Sequence, residues 1–215
     1  VIKVTDNAAE PATKEITLPE YAEHEVGMIP QLAARFETAA QLPGAEYLAK
    51  LRYLILPIRE ADAVPQPLRC KTLLELPRAA FGTVEPDTMR RLAALEGSDF
   101  AGVVANNLAQ FGYASPLPVF GGLGLNVTNP MSAAEYVCLG ACGLLVQPET
   151  ALTAMRAVAP RQKDGTPVPT AALCYGHLPL MLTRACPLRN VRTSCAGCTH
   201  KGKLRDRKGR DFPVR

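Results

Sequence analysis

The chain has 215 residues, 47% of them hydrophobic and 20% charged, with a net charge of +4. That size and balance suit one full globular core, or one domain with an appendage. They exclude a membrane-spanning helix, because no apolar run approaches the roughly 20 residues that cross a bilayer.

Residues 1–25 are acidic and polar, with one strand-like start at Val1 to Val4. The chain opens on Val1, and VIKVTDN has neither the basic nor the apolar region of a secretory leader. The expectation is a piece of a larger protein, cut at both ends, with residues 1–50 as a lead-in. Leu32, Phe36, Ala40, Tyr47, Leu48 and Leu51 have helical-type spacing, broken at Pro43-Gly44, which predicts one helix in 28–51.

From there strand and helix signals alternate. Short apolar runs predict strands over 52–58, 71–80, 99–107, 118–129, 142–148 and 170–176. Between them, helices are expected over 87–97, 108–113, 132–141 and 149–159. Ser132 with Glu135 three residues on reads as a capping box.

Near-continuous apolar strands separated by helices indicate an α/β protein with a parallel sheet. Six strands fall short of a closed eight-stranded barrel. The expected fold is a partial or complete TIM-barrel-like (β/α) sheet over 51–182, with a Cys-rich basic segment over 183–215. An open doubly wound sheet is the alternative.

Sites in parallel α/β folds form beyond the C-terminal ends of the strands. That rule selects Glu75, Arg78, Asn106, Asn107, Asn126, Asn129, Gln147, Glu149, Tyr175 and His177. Within this set, Glu149 offers general acid or base chemistry, with Asn126 and His177 as further catalytic candidates. Asn129, Asn106, Arg78 and Arg184 are candidates for binding substrate. The bland alternative gives the asparagines to turns and places Glu149 in the first turn of a helix, where its charge suits the dipole. No nucleophile elbow, HExxH motif or cysteine with a convincing histidine partner is present. The glycines of FGGLGLN fit a bulge or close backbone approach better than a phosphate cradle.

Cysteine placement carries a separate signal. Cys186, Cys195 and Cys198 fall close together in a polar, turn-rich segment, and the last two form a CxxC. Thiolates grouped this way suit zinc or an iron–sulfur cluster, and ligand type alone does not separate the two. A four-ligand site lacks one cysteine here; His200 is a candidate fourth donor for zinc. Cys138, Cys142 and Cys174 sit in apolar runs and read as small buried side chains, and Cys70 as a loop residue. Unpaired usage of this kind points to a reducing, cytoplasmic setting. Charge is also uneven. Residues 184–215 hold ten Lys+Arg against two Asp+Glu, a net of +8, which leaves −4 for the rest. The excess suggests an anionic partner, RNA or an anionic small molecule. A solvated basic tail balancing the thiolates is the alternative.

The spaced motifs GHLPLM, ACPL, CAGC and LRDRKGRDFPV resemble the C-terminal signature of the peptidase U32 family, the collagenase-like proteases. Tyr175, Gly176, Leu178, Pro179, Leu180, Met181, Cys186, Pro187, Cys195 and Cys198 stand where that pattern has them. So do Leu204, Asp206, Arg207, Lys208, Gly209, Phe212, Pro213 and Val214, whereas His177 departs from the usual arginine. Upstream, LNVTNP and LVQPET resemble two further family motifs; Pro148 and Glu149 match and Gln147 replaces a common serine. The resemblance spans about residues 50–215 and implies the last portion of a larger member, with further domains upstream and a (β/α) barrel. Through relatives that hydroxylate RNA bases or a quinone precursor without oxygen, it also implies a 4Fe–4S cluster. The fourth cysteine of that cluster would lie beyond Arg215, and without it the cluster would be labile or absent. Three readings follow: an iron–sulfur enzyme acting on RNA or another anionic substrate, a metal-independent or zinc-assisted protease, and a zinc-stapled binding module.

Overall fold

The computed structural model describes residues 30–113, 115–183, 185–190, 194–199 and 201–214. The strand-like start at Val1 to Val4, His24, Arg184 and His200 lie outside the described residues. The chain divides into two compact units, Val1–Cys174 and Tyr175–Arg215.

The first unit is built on seven strands: β1 Leu32–Arg35, β2 Leu51–Pro57, β3 Thr72–Glu75, β4 Gly102–Ala105, β5 Val119–Gly121, β6 Ala141–Val146 and β7 Thr170–Ala172. They lie in the sheet in sequence order, and every neighbouring pair is parallel. This order removes the doubly wound alternative, whose strand order reverses at a switch point. The result is an open half-barrel. Its connecting helices are α1 Ala45–Leu48, α2 Gln66–Arg69, α3 Val84–Ala93, α4 Pro130–Cys138 and α5 Leu152–Ala157, with 3-10 turns between.

Each strand alternates its side chains between two faces. Leu56, Leu74 and Val103 are fully buried and pack with Leu92 and Leu95 from the α3 region. Leu144 and Val146 pack with Val127, Ala133 of α4 and Val158 in a second cluster. The opposite, concave face carries Arg35, Tyr53, Ile55, Leu73, Glu75, Val104 and Phe120, by the strand register.

Curvature is visible in one contact. The Tyr53 and Phe120 rings lie 5.7 Å apart, although β3 and β4 separate their strands. Three strand spacings in a flat sheet amount to about 14 Å. Two glycines make room for the Phe120 ring: a Cβ at Gly102 or Gly143 would come within 2.8 Å or 2.7 Å of it. The register shift between β5 and β6 lies beside this ring.

Several expectations are corrected. Helical-type spacing predicted a helix across 28–51, yet Leu32–Arg35 is an edge strand and only Ala45–Leu48 is α-helical. A four-residue edge strand, exposed at three positions, carries too little apolar pattern to be recognised. Asn129, not Ser132, caps α4, because Pro130 fits the first helical position, where no backbone N–H is needed. Helix α5 begins at Leu152, so Glu149 precedes it and lies in a turn, outside any first turn. Cys138 and Cys174 are exposed and Cys142 is half-buried, contrary to the expected core positions. Cys138 ends α4, and Cys174 follows β7, the strand at the sheet edge.

The second unit contains an antiparallel hairpin, β8 Gly202–Arg205 and β9 Asp211–Val214. The family-like DRKG run is its turn. Asp206 Oδ1 accepts the backbone N–H groups of Lys208 and Arg210 at 2.8 Å each. Gly209 adopts φ 77°, a left-handed conformation that favours glycine. Leu188 is buried and packs over Gly202.

Candidate functional site

The C-terminal ends of β1, β3 and β4 meet in a polar network on the concave side. Arg35 Nε donates to Glu75 Oε2 at 2.7 Å, and Arg35 Nη1 donates to Glu37 Oε1 at 2.7 Å. Glu75 is shielded, with 18% of its side chain exposed against 45% for Arg35. Its other oxygen, Oε1, has a 3.5 Å contact from Asn106 Nδ2, at the limit for a hydrogen bond. Partial burial alone would lower the Arg35 pKa, but the Glu75 and Glu37 carboxylates hold it above the ordinary arginine value.

Asn106 organises this end of the sheet. It is 2% exposed. Its Nδ2 donates to the Leu76 carbonyl at 2.9 Å, and its Oδ1 accepts from Gly124 N at 3.1 Å. Its backbone N–H donates to Gln110 Oε1 at 2.6 Å, while Gln110 Nε2 reaches the Pro77 carbonyl at 2.7 Å. These bonds tie the exits of β3, β4 and β5 together. The approach is close enough that a Cβ at Gly122 would meet Asn106 Oδ1 at 2.5 Å, and one at Gly124 would collide with the Asn106 carbonyl. The glycines therefore serve backbone approach.

A second pair lies at the exits of β5 and β6. Gln147 Nε2 donates to Asn126 Oδ1 at 2.9 Å. Asn126 has φ 52° and is exposed, a left-handed position that asparagine tolerates. Gln147 Oε1 and Thr150 Oγ1 are buried without a hydrogen-bond partner.

The remaining candidates take separate places. Asn129 Oδ1 accepts from Ser132 N at 2.9 Å as the cap of α4. Arg78 is exposed, and its carbonyl accepts from Asn107 Nδ2 at 3.3 Å. Glu149 is exposed in the turn after β6. His177 is exposed in the second unit. Arg35 and Glu37 are not among the residues that the sequence singles out, because helical-type spacing covers both; the available signal is a charged residue following an apolar triplet.

Cys186 and Cys195 are exposed and Cys198 is half-buried, all in the second unit. Cys198 N donates to the Cys195 carbonyl at 3.1 Å, which folds the CxxC into one turn. Two thiolates on one turn suit a shared metal ion. Among the described residues, however, no three His, Cys, Asp or Glu side chains converge on one point.

A cleft of about 390 Å³ lies at the opposite end of the sheet, beside Leu32, Lys50, Leu51 and Arg52. It is away from the strand exits that position sites in this architecture. No helix among the described residues is long and apolar enough to cross a membrane.

No family model matches the sequence, and no curated protein matches it. Among solved structures the chain is similar to a U32 peptidase, at 13% identity and a TM-score of 0.43, over 65% of this chain and 72% of that one.

Proposed function

We propose that this chain is a U32-type, peptidase-like enzyme whose substrate lies over the C-terminal rim of the half-barrel. The observation that carries the reading is Glu75, a shielded carboxylate with one oxygen anchored by Arg35 and the other almost uncommitted. A carboxylate held in this way can accept a proton from water as it attacks a peptide carbonyl, and return it to the leaving amine. Arg35 fixes the orientation of Glu75, and Asn106 fixes the strand exits around it. The motif resemblance across residues 50–215 supports the family assignment. The test is hydrolysis of denatured collagen and a mixed peptide library, read by mass spectrometry. Glu75→Gln should lower cleavage at least about 100-fold with the fold retained. Absence of cleavage by the wild-type protein would rule out the peptidase reading.

A second reading is favoured by the composition of the second unit. Its three grouped cysteines and its +8 excess in residues 184–215 support a metal or a 4Fe–4S cluster, with RNA or another anionic substrate. In that case Cys186, Cys195 and Cys198 hold the group with a further donor, and zinc in its place makes the unit a structural staple. Metal analysis of the native protein separates these outcomes.

A further inference from the structure

The trough of the half-barrel has a chemistry of its own. Its floor is apolar and aromatic: Tyr53, Ile55, Phe120 and Leu145 are half-buried, with Tyr53 and Phe120 in ring contact. Its rim is acidic. The strand ends and the loops that follow β1 to β6 carry Arg35, Arg59 and Arg78 against Glu37, Glu60, Asp62, Glu75 and Glu149, and no lysine. Asp62 interacts with Arg91 of α3, which leaves three guanidinium groups against four rim carboxylates. The excess positive charge of the chain belongs to residues 184–215, in the sequence of the second unit.

Two of the arginines are already engaged by rim carboxylates. Arg35 binds Glu37 and Glu75, and Arg59 lies 3.9 Å from both Glu37 and Glu60. An anionic ligand would have to displace those contacts while approaching a net negative rim. A cationic group meets the opposite situation. Glu75 Oε1, above the apolar floor in strand register, is a shielded carboxylate oxygen with a single long contact, from Asn106 Nδ2 at 3.5 Å.

We propose that the trough binds a ligand with a primary ammonium group on an apolar or aromatic body, such as the free amino terminus of a peptide with a hydrophobic first residue. The ammonium donates to Glu75 Oε1, and the side chain covers Tyr53 and Phe120. This deepens the peptidase-like reading and rests on it, because it assigns the substrate end that the rim holds.

The probes are phenylalanyl-glycinamide and its N-acetyl derivative, which differ only in the cationic amine. Binding to the full chain is followed by amide chemical shifts, with Gly102 and Gly143 as reporters beside the Phe120 ring. The free amine should bind at least about ten-fold more tightly than the acetylated form, as expected for a charge-assisted hydrogen bond in a shielded site. Glu75→Gln should remove that preference, while Asp62→Asn, an exposed change beside Arg91 of α3, should leave it within about two-fold. In the wild-type protein alone, raising ionic strength from about 20 mM to about 300 mM should weaken only the free amine. Equal affinity for both probes would overturn the amine assignment, yet leave the peptidase reading to the hydrolysis assay. Shifts that avoid the trough glycines would overturn the location.

Discussion

Arg35 and Glu75 are separated by 40 positions in the chain and meet at 2.7 Å across the C-terminal end of β2. The pair joins the edge strand to the third strand without a backbone bond between them. With Arg35 nearly half exposed, its coupling energy to Glu75 should be about 1 kcal/mol or less. A double-mutant cycle with Arg35→Ala and Glu75→Gln, read by urea denaturation, measures it. Coupling above about 3 kcal/mol would mean that the pair is a structural clamp.

Asn106 should matter far more for stability. Asn106→Ala removes bonds to the Leu76 carbonyl and the Gly124 amide in a buried place. The loss should be about 2–4 kcal/mol, since both partners are left without a replacement. A change below about 0.5 kcal/mol would show that water takes over both partners.

The aromatic floor depends on missing side chains. Gly143→Ala places a methyl group against the Phe120 ring. Overpacking of this kind should cost about 1–3 kcal/mol. Adding Phe120→Leu should recover part of the loss, and an unchanged deficit in the double variant would place the strain in the backbone.

Asp211 provides a pH test in the hairpin. A hydrogen bond from Arg205, with Lys203 nearby, holds its carboxyl below the usual aspartate range. A lowered folded-state pKa contributes stability above the ordinary aspartate value, and that contribution fades as pH falls through the folded-state value. Carboxyl chemical shifts should therefore titrate below the free-aspartate midpoint, and Arg205→Ala should move the midpoint up. Identical midpoints in the two proteins would dismiss the ion pair.

The cysteine proposal predicts metal content. Native protein purified without oxygen should carry either iron with matching sulfide or a single zinc, and Cys195→Ser should remove it. Metal-free protein under those conditions would leave the CxxC as a turn with two reduced thiols.

Six strands were legible because each is a short, nearly continuous apolar run bounded by turn residues. β1 was not, since Leu-Ala-Ala-Arg carries too little pattern and is partly defined by its neighbour. Arg35, the last residue of that strand, is obscured with it. Asn106 was selected from its place after a strand, but its burial and its bonds to the neighbouring strand exits depend on tertiary contacts that spacing does not encode. The cap of α4 was misplaced because a capping-box pattern outweighed the simpler signal of asparagine before proline. Cysteine burial was misjudged for a related reason: an apolar run indicates a strand or helix without saying which of its faces is covered.

The sequential order of β1 to β7 has an evolutionary consequence. Each βα repeat delivers its own side chains to the rim, and no loop must thread past another to do so. A substitution in one connection can therefore alter what the trough recognises while the remaining connections stay as they are. Selectivity in such a chain can be rewritten a loop at a time, with the exits pinned by Asn106 as the exception that must stay fixed.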